Sequence, residues 1–125
     1  MRKDAREVVF KSLYSEMFSG SGQELFPDLC REAGLNEAEV LFAADLLKKV
    51  DEHKESLDSA IGELARNYDV SRVYSTDKCA LYIGLSEMMF SPDVPYIVAI
   101  DEALSLCKKY SSDAGVSFVN GIFAE

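Results

Sequence analysis

One histidine, three cysteines and a glycine-serine run are the residues of this 125-residue chain whose types could support catalysis or metal binding. His53 sits inside the charged run Asp51-Glu-His-Lys-Glu55, which predicts a solvated helix residue rather than a base or a ligand. Cys30, Cys79 and Cys107 are odd in number, far apart and without Cys-x-x-Cys spacing, so reduced thiols are expected and a zinc site is not. The Gly20-Ser-Gly22 run lacks the Lys-Ser/Thr that would make it a phosphate loop. Asp51 and Glu52 are adjacent and point in different directions from a helix, so they cannot act as a pair. The expectation is a protein that is no enzyme and carries no metal or cofactor.

Charge narrows the remaining classes. The net charge of -9 opposes generic nucleic-acid binding, because neutralising phosphates needs clustered Lys and Arg. Its distribution is uneven. Arg2, Lys3, Arg6 and Lys11 against Asp4 and Glu7 leave residues 1–11 at +2, while 12–66 carry -7 and 67–125 carry -4. A basic first helix on an acidic body can still steer toward RNA. No apolar run approaches the ~18 residues that cross a bilayer. The charged N-terminus has no h-region, so a cytoplasmic protein is expected.

The elements that must position these groups are helical. Ala5, Val8, Val9, Leu13, Met17 and Phe18 form one helical stripe, ended by Ser19-Gly-Ser-Gly22. Pro27 suits the first turn of a short helix to Ala33, with Gly34 closing it. Asn36 and Glu39 have the spacing of a capping box opening a long helical stretch, which the run at 51–55 breaks. Ser75 or Thr76 can cap a helix through Phe90 with Ala80, Leu81, Ile83, Leu85 and Met88 inward. Ser91-Pro-Asp-Val-Pro95 reads as a turn, followed by helices over roughly Tyr96–Tyr110 and Val116–Ala124. Strand-like alternation is absent. The chain reads as all-α, with six to seven helices in a single domain over 1–125.

The C-terminal third is the most specific part. Val94-Pro-Tyr-Ile-Val-Ala-Ile-Asp-Glu-Ala103 precedes Lys108-Lys-Tyr-Ser111 and then Phe118-Val-Asn-Gly121. In this order and spacing the motifs resemble the C-terminal signature of the NusB family of bacterial transcription antitermination factors. Ala5-Arg6, Leu13-Tyr14, Asp77 and Glu87 also fall where that family has its counterparts. The resemblance implies two small helical bundles packed together. It implies binding of single-stranded boxA-like RNA jointly with the ribosomal protein NusE, within the RNA polymerase antitermination complex that reads through ribosomal RNA operons. It also allows a homodimer as well as a monomer.

On that resemblance, Arg2, Lys3 and Arg6 would meet phosphates, Tyr14 and Phe118 would stack on bases, and Asp77 would accept hydrogen bonds from base edges. Each has a plainer reading: Tyr14 and Phe118 as core, Asp77 as a carboxylate favoured by a helix dipole, Arg6 as a partner of an acidic neighbour. The chain departs from the family pattern at Ser117, Tyr82 and Asp101 and in its thinned basic end, and most of these changes remove positive charge. The expectation is weak RNA binding that depends on the protein partner. The alternative is a protein-interaction or dimerisation module of the same fold with little RNA affinity.

Overall fold

A computed structural model describes residues 2–65 and 73–124 of the chain. Among the described residues there are seven α-helices: α1 Arg2–Ser19, α2 Gly22–Glu32, α3 Glu37–Glu52, α4 Lys54–Leu64, α5 Ser75–Phe90, α6 Tyr96–Tyr110 and α7 Asp113–Phe123. The helices form two small packed groups. In one, α1 packs on α2 and α3; in the other, α5, α6 and α7 pack on one another, with α4 against α5. Contacts of α1 and α3 with α5 join the groups. One hydrophobic cluster runs through both, from Val9 and Leu13 through Leu46 and Ile61 to Leu81, Ile83 and Val119.

Local chemistry explains most boundaries. Asn36 Oδ1 accepts from the Glu39 amide at 2.8 Å while the Glu39 carboxylate accepts from the Asn36 amide at 2.9 Å, the reciprocal capping box that the spacing predicts. Gly34 ends α2 with φ +67°, where a side chain would clash with the following carbonyl. The Gly34 and Leu35 amides then donate back to the Arg31 and Cys30 carbonyls, a Schellman closure. His53 breaks the long helical stretch between α3 and α4. It is half-buried rather than solvated, with its ring 3.8 Å from the Phe90 ring and Nδ1 2.8 Å from the Lys49 carbonyl oxygen.

Four boundaries differ from the sequence reading. α5 begins at Ser75 with Tyr74 as its N-cap, so neither Ser75 nor Thr76 caps it. α2 begins at Gly22, so Pro27 lies inside it and not in its first turn. The start is set by α1: Ser12 Oγ donates to the Gly22 carbonyl at 2.8 Å, and a Cβ on Gly22 would lie 2.2 Å from the Ser12 carbonyl oxygen. Pro27 then forgoes one helical bond, to the Gln23 carbonyl. α7 begins at Asp113 because the Ser112 hydroxyl accepts from the Gly115 amide at 3.0 Å. α1 runs from Arg2, three residues before the apolar stripe starts.

The centre of the fold is α5. It is enclosed nearly all round: besides the expected Ala80, Leu81, Ile83 and Leu85, its buried residues include Asp77, Cys79, Tyr82, Ser86 and Glu87, whereas Met88 is half-buried. A helix enclosed in this way is anchored by the polar groups it carries. Tyr82 donates to Asp58 of α4 at 2.6 Å, and Glu87 accepts from α1.

Candidate nucleic-acid interface

The structure separates the three basic residues of the first turns. Arg6 is 4% exposed, and its Nε and Nη2 donate to the two carboxylate oxygens of the fully buried Glu87 at 2.6 and 2.8 Å. Arg2 is exposed on the α3 side, 3.5 Å from Asp93, and its guanidinium lies 4.4 Å from the centre of the Phe42 ring. The Arg6 guanidinium approaches the same ring at 5.2 Å. Lys3 points to the other flank of α1, toward α6, where it shares a hollow with Glu7, Glu102, Lys108 and Lys109.

That flank continues along α1. Residues 3, 7, 10, 14 and 18 repeat at the i, i+3/i+4 spacing of one helix face. Lys109 donates to Glu7 at 2.7 Å, the Tyr110 hydroxyl donates to the same carboxylate, and Lys11 stands 3.9 Å from it. Phe10 stacks on Tyr110 with ring centres 4.8 Å apart, and Tyr14 follows, half-buried, parallel to Phe10 at 6.4 Å. Beyond Tyr14 the seam opens into a hollow of about 560 Å³ bounded by the end of α1 and the starts of α5 and α7. Tyr14, Phe18, Tyr74, Thr76 and Ser112 line it.

Asp77 and Phe118 lie beside this hollow but not in its wall. Asp77 is 2% exposed and accepts from Ser111 Oγ at 2.6 Å. Its carboxylate presses against the first turn of α7: a Cβ on Gly115 would lie 2.5 Å from Asp77 Oδ1 and 2.4 Å from Ser111 Oγ. Phe118, one turn further along α7, is half-buried against the core. Lys3 and Tyr14 therefore share one seam, Arg2 lies on another face, and Arg6 and Asp77 are inside.

The sequence reading assigned no role to Lys108, Lys109, Tyr110 or Tyr74, and it placed Phe18 in the apolar stripe of α1, whereas the ring is largely exposed. The first three stood in the C-terminal motif, so their presence near a site was legible. Their pairing with α1 was not, because Glu7 and Tyr110 are 103 positions apart.

Electrostatics at the seam follow from these contacts. Burial alone would raise the Glu7 carboxyl, but the bonds from Lys109 and Tyr110 and the charges of Lys109 and Lys11 outweigh it and hold it below the ordinary carboxylate value. The Glu7 hydrogen bond raises Lys109, and burial followed by Glu7 raises Tyr110. A carboxyl lowered on folding contributes stability above its unfolded pKa, and the contribution is lost as pH falls through the folded value. The stability gap between the protein and Glu7→Gln is thus expected to be widest near neutral pH and to close below roughly pH 4. Thermal melts of both proteins across that range test this. Burial pushes the Cys79 and Cys107 thiols up to about 12, which leaves them unreactive in the core.

A lysine-flanked seam leading to exposed rings offers cations that can pair with phosphates at one end and flat faces that can meet bases at the other. Comparison with known proteins gives this geometry a context. The model of the NusB family matches residues 3–125. The transcription antitermination protein NusB of Methylacidiphilum infernorum is 32% identical over 123 residues, covering 97% of this chain and 86% of that protein. The one from Limosilactobacillus fermentum is 35% identical over 124 residues, covering 97% and 88%. Among solved structures, NusB of T. maritima superposes with a TM-score of 0.91 at 25% identity, over 99% of this chain and 88% of that one. A structure of the antitermination factors NusB and NusE in complex with dsRNA gives a TM-score of 0.88 at 27% identity, over 98% and 92%. No helix among the described residues is long and apolar enough to cross a membrane. The chain belongs to the NusB family.

Proposed function

We propose that this chain is a transcription antitermination factor that binds boxA-like single-stranded RNA together with NusE and promotes read-through in ribosomal RNA operons. It acts as a non-enzymatic regulator in the cytoplasm, and residues 1–125 form one functional domain. The observation that carries the reading is the continuous seam from Lys3, Lys108 and Lys109 to the ring of Tyr14. Relatives across its whole length are transcription antitermination proteins.

Lys3, with Lys108 and Lys109, contacts phosphates, and Arg2 reaches the strand from the neighbouring face. Tyr14 offers a stacking surface. Arg6 and Asp77 act through position: Arg6 holds the start of α1 on α5, and Asp77 holds the first turn of α7. Phe118 fixes the next turn of α7 and contributes whatever part of its ring the core leaves uncovered.

Fluorescence anisotropy with a labelled boxA-like RNA, with and without NusE, at several salt concentrations tests the assignment. Binding is expected to tighten with NusE. Lys3→Glu and Lys109→Glu should each weaken it and flatten the log–log salt slope, by about 0.7 for each phosphate no longer neutralised. Tyr14→Ala should lower affinity with little change in slope, because stacking releases no counterion. A folded protein that ignores this RNA even with NusE present is a protein-interaction module instead.

A further inference from the structure

The hollow at the end of α1 holds more aromatic surface than one stacking contact requires. Phe18 is 68% exposed and Tyr74 is 75% exposed, and both line the hollow that Tyr14 enters. The Phe18 ring centre is 4.7 Å from that of Tyr14, with the planes tilted by 50°. Large rings left in water forgo the stabilisation that burial would give, so two of them at one hollow mark a surface that is covered in use.

Several features point to an unstacked nucleic-acid strand as the occupant. Among the described residues, no charged side chain of either sign lines the hollow, although the chain carries -9 overall. The described wall is therefore free of the carboxylates that would repel a phosphate backbone. The hollow opens on the start of α5, whose N-cap residue is Tyr74, so the positive end of that helix dipole lies in its wall. Flat π-faces beside a helix N-terminus suit bases splayed out of a single strand. The lysines that would follow its backbone stand along the same seam.

We propose that Phe18 and Tyr74 are two further stacking platforms for single-stranded RNA beside Tyr14, and that through them this chain draws more of its RNA affinity from base faces than from phosphate charge. The inference rests on the RNA-binding function proposed above and adds to it specific residues and a balance of forces. It also accounts for how a thinned basic end can serve an RNA-binding protein. A base–ring contact does not weaken with salt as a phosphate contact does.

The test uses the full chain with NusE and a boxA-like RNA carrying 2-aminopurine, whose fluorescence falls when the base stacks on a ring. Phe18→Ala and Tyr74→Ala should each weaken binding about tenfold and reduce the quenching, with the salt slope unchanged. Phe18→Trp should restore both, while Phe18→Leu, apolar but without a π-face, should not. Because both rings are largely in water, the variants should melt at the wild-type temperature. RNA binding by the wild type with unaltered affinity and quenching in both alanine variants overturns the inference and leaves the function standing. Loss of NusE affinity in place of RNA affinity assigns the rings to a protein contact and overturns it too. No RNA binding by the wild type removes both.

Discussion

Replacing Glu87 by alanine is expected to lower the stability of the fold by about 3–5 kcal/mol, the largest effect of any single side-chain truncation outside the apolar core. The reason is what remains behind. Arg6 is 4% exposed and its guanidinium spends two donors on the Glu87 carboxylate, so truncation strands a charged group where water cannot reach it. The nearby Phe42 ring, 5.2 Å from the guanidinium, attracts the cation but cannot replace a counter-charge. For a chain of this length the loss corresponds to a fall in melting temperature of about 10–20 °C. Arg6→Met should cost a similar amount by stranding the carboxylate. The double change Arg6→Met/Glu87→Met should recover most of the loss, since a well-packed apolar pair can equal a buried ion pair. Urea unfolding of the four proteins closes this cycle, and additive losses would show that the two groups are not coupled.

The same pair shows where the sequence was readable and where it was not. Much of the local structure was legible: the capping box at Asn36 and Glu39, the closure at Gly34, the break within 51–55 and the turn at 91–95. The 3.6-residue period placed α6 at its observed bounds. Ser112 was missed because Ser111-Ser-Asp113 offers several cap residues, and only packing on Asp77 selects among them. Pro27 misled because a strong local preference yielded to the close approach of α1 and Gly22. For α5, the expected inward set of Ala80, Leu81, Ile83, Leu85 and Met88 already spanned too many helical directions for one face. That spread was the sign of a helix enclosed on all sides.

Site residues divide along the same line. Resemblance placed Arg6, Tyr14, Asp77 and Phe118 at positions of interest, but a position does not say whether a group faces a ligand or holds the element that does. That distinction depends on partners 81 residues away for Arg6 and 34 for Asp77. No spacing rule contains such separations. The pairing of Glu7 with Lys109 and Tyr110 is of the same kind. It also tempers the seam, since one carboxylate there engages the lysine best placed to meet a phosphate.

The second large effect is expected at the contact between α5 and α7. Gly115→Ala places a methyl 2.4 Å from Ser111 Oγ and 2.5 Å from Asp77 Oδ1, two groups that are themselves bonded to each other. Neither can swing aside without breaking that bond, because Asp77 is 2% exposed. The overpacking should cost about 1–3 kcal/mol. Asp77→Ala should cost about as much, by leaving Ser111 without its acceptor and the first turn of α7 without its support. Each change also shifts the wall of the hollow formed by Ser112, so both should weaken RNA binding although neither group is exposed to RNA. The deciding experiment is the double variant. If Asp77 serves to seat α7, removing its carboxylate makes room for the methyl, and Gly115→Ala/Asp77→Ala should cost clearly less than the sum of the single changes in both stability and RNA affinity. If Asp77 instead reads base edges directly, stability will show this relief while RNA affinity will not. Denaturation and anisotropy on the same four proteins separate these two outcomes.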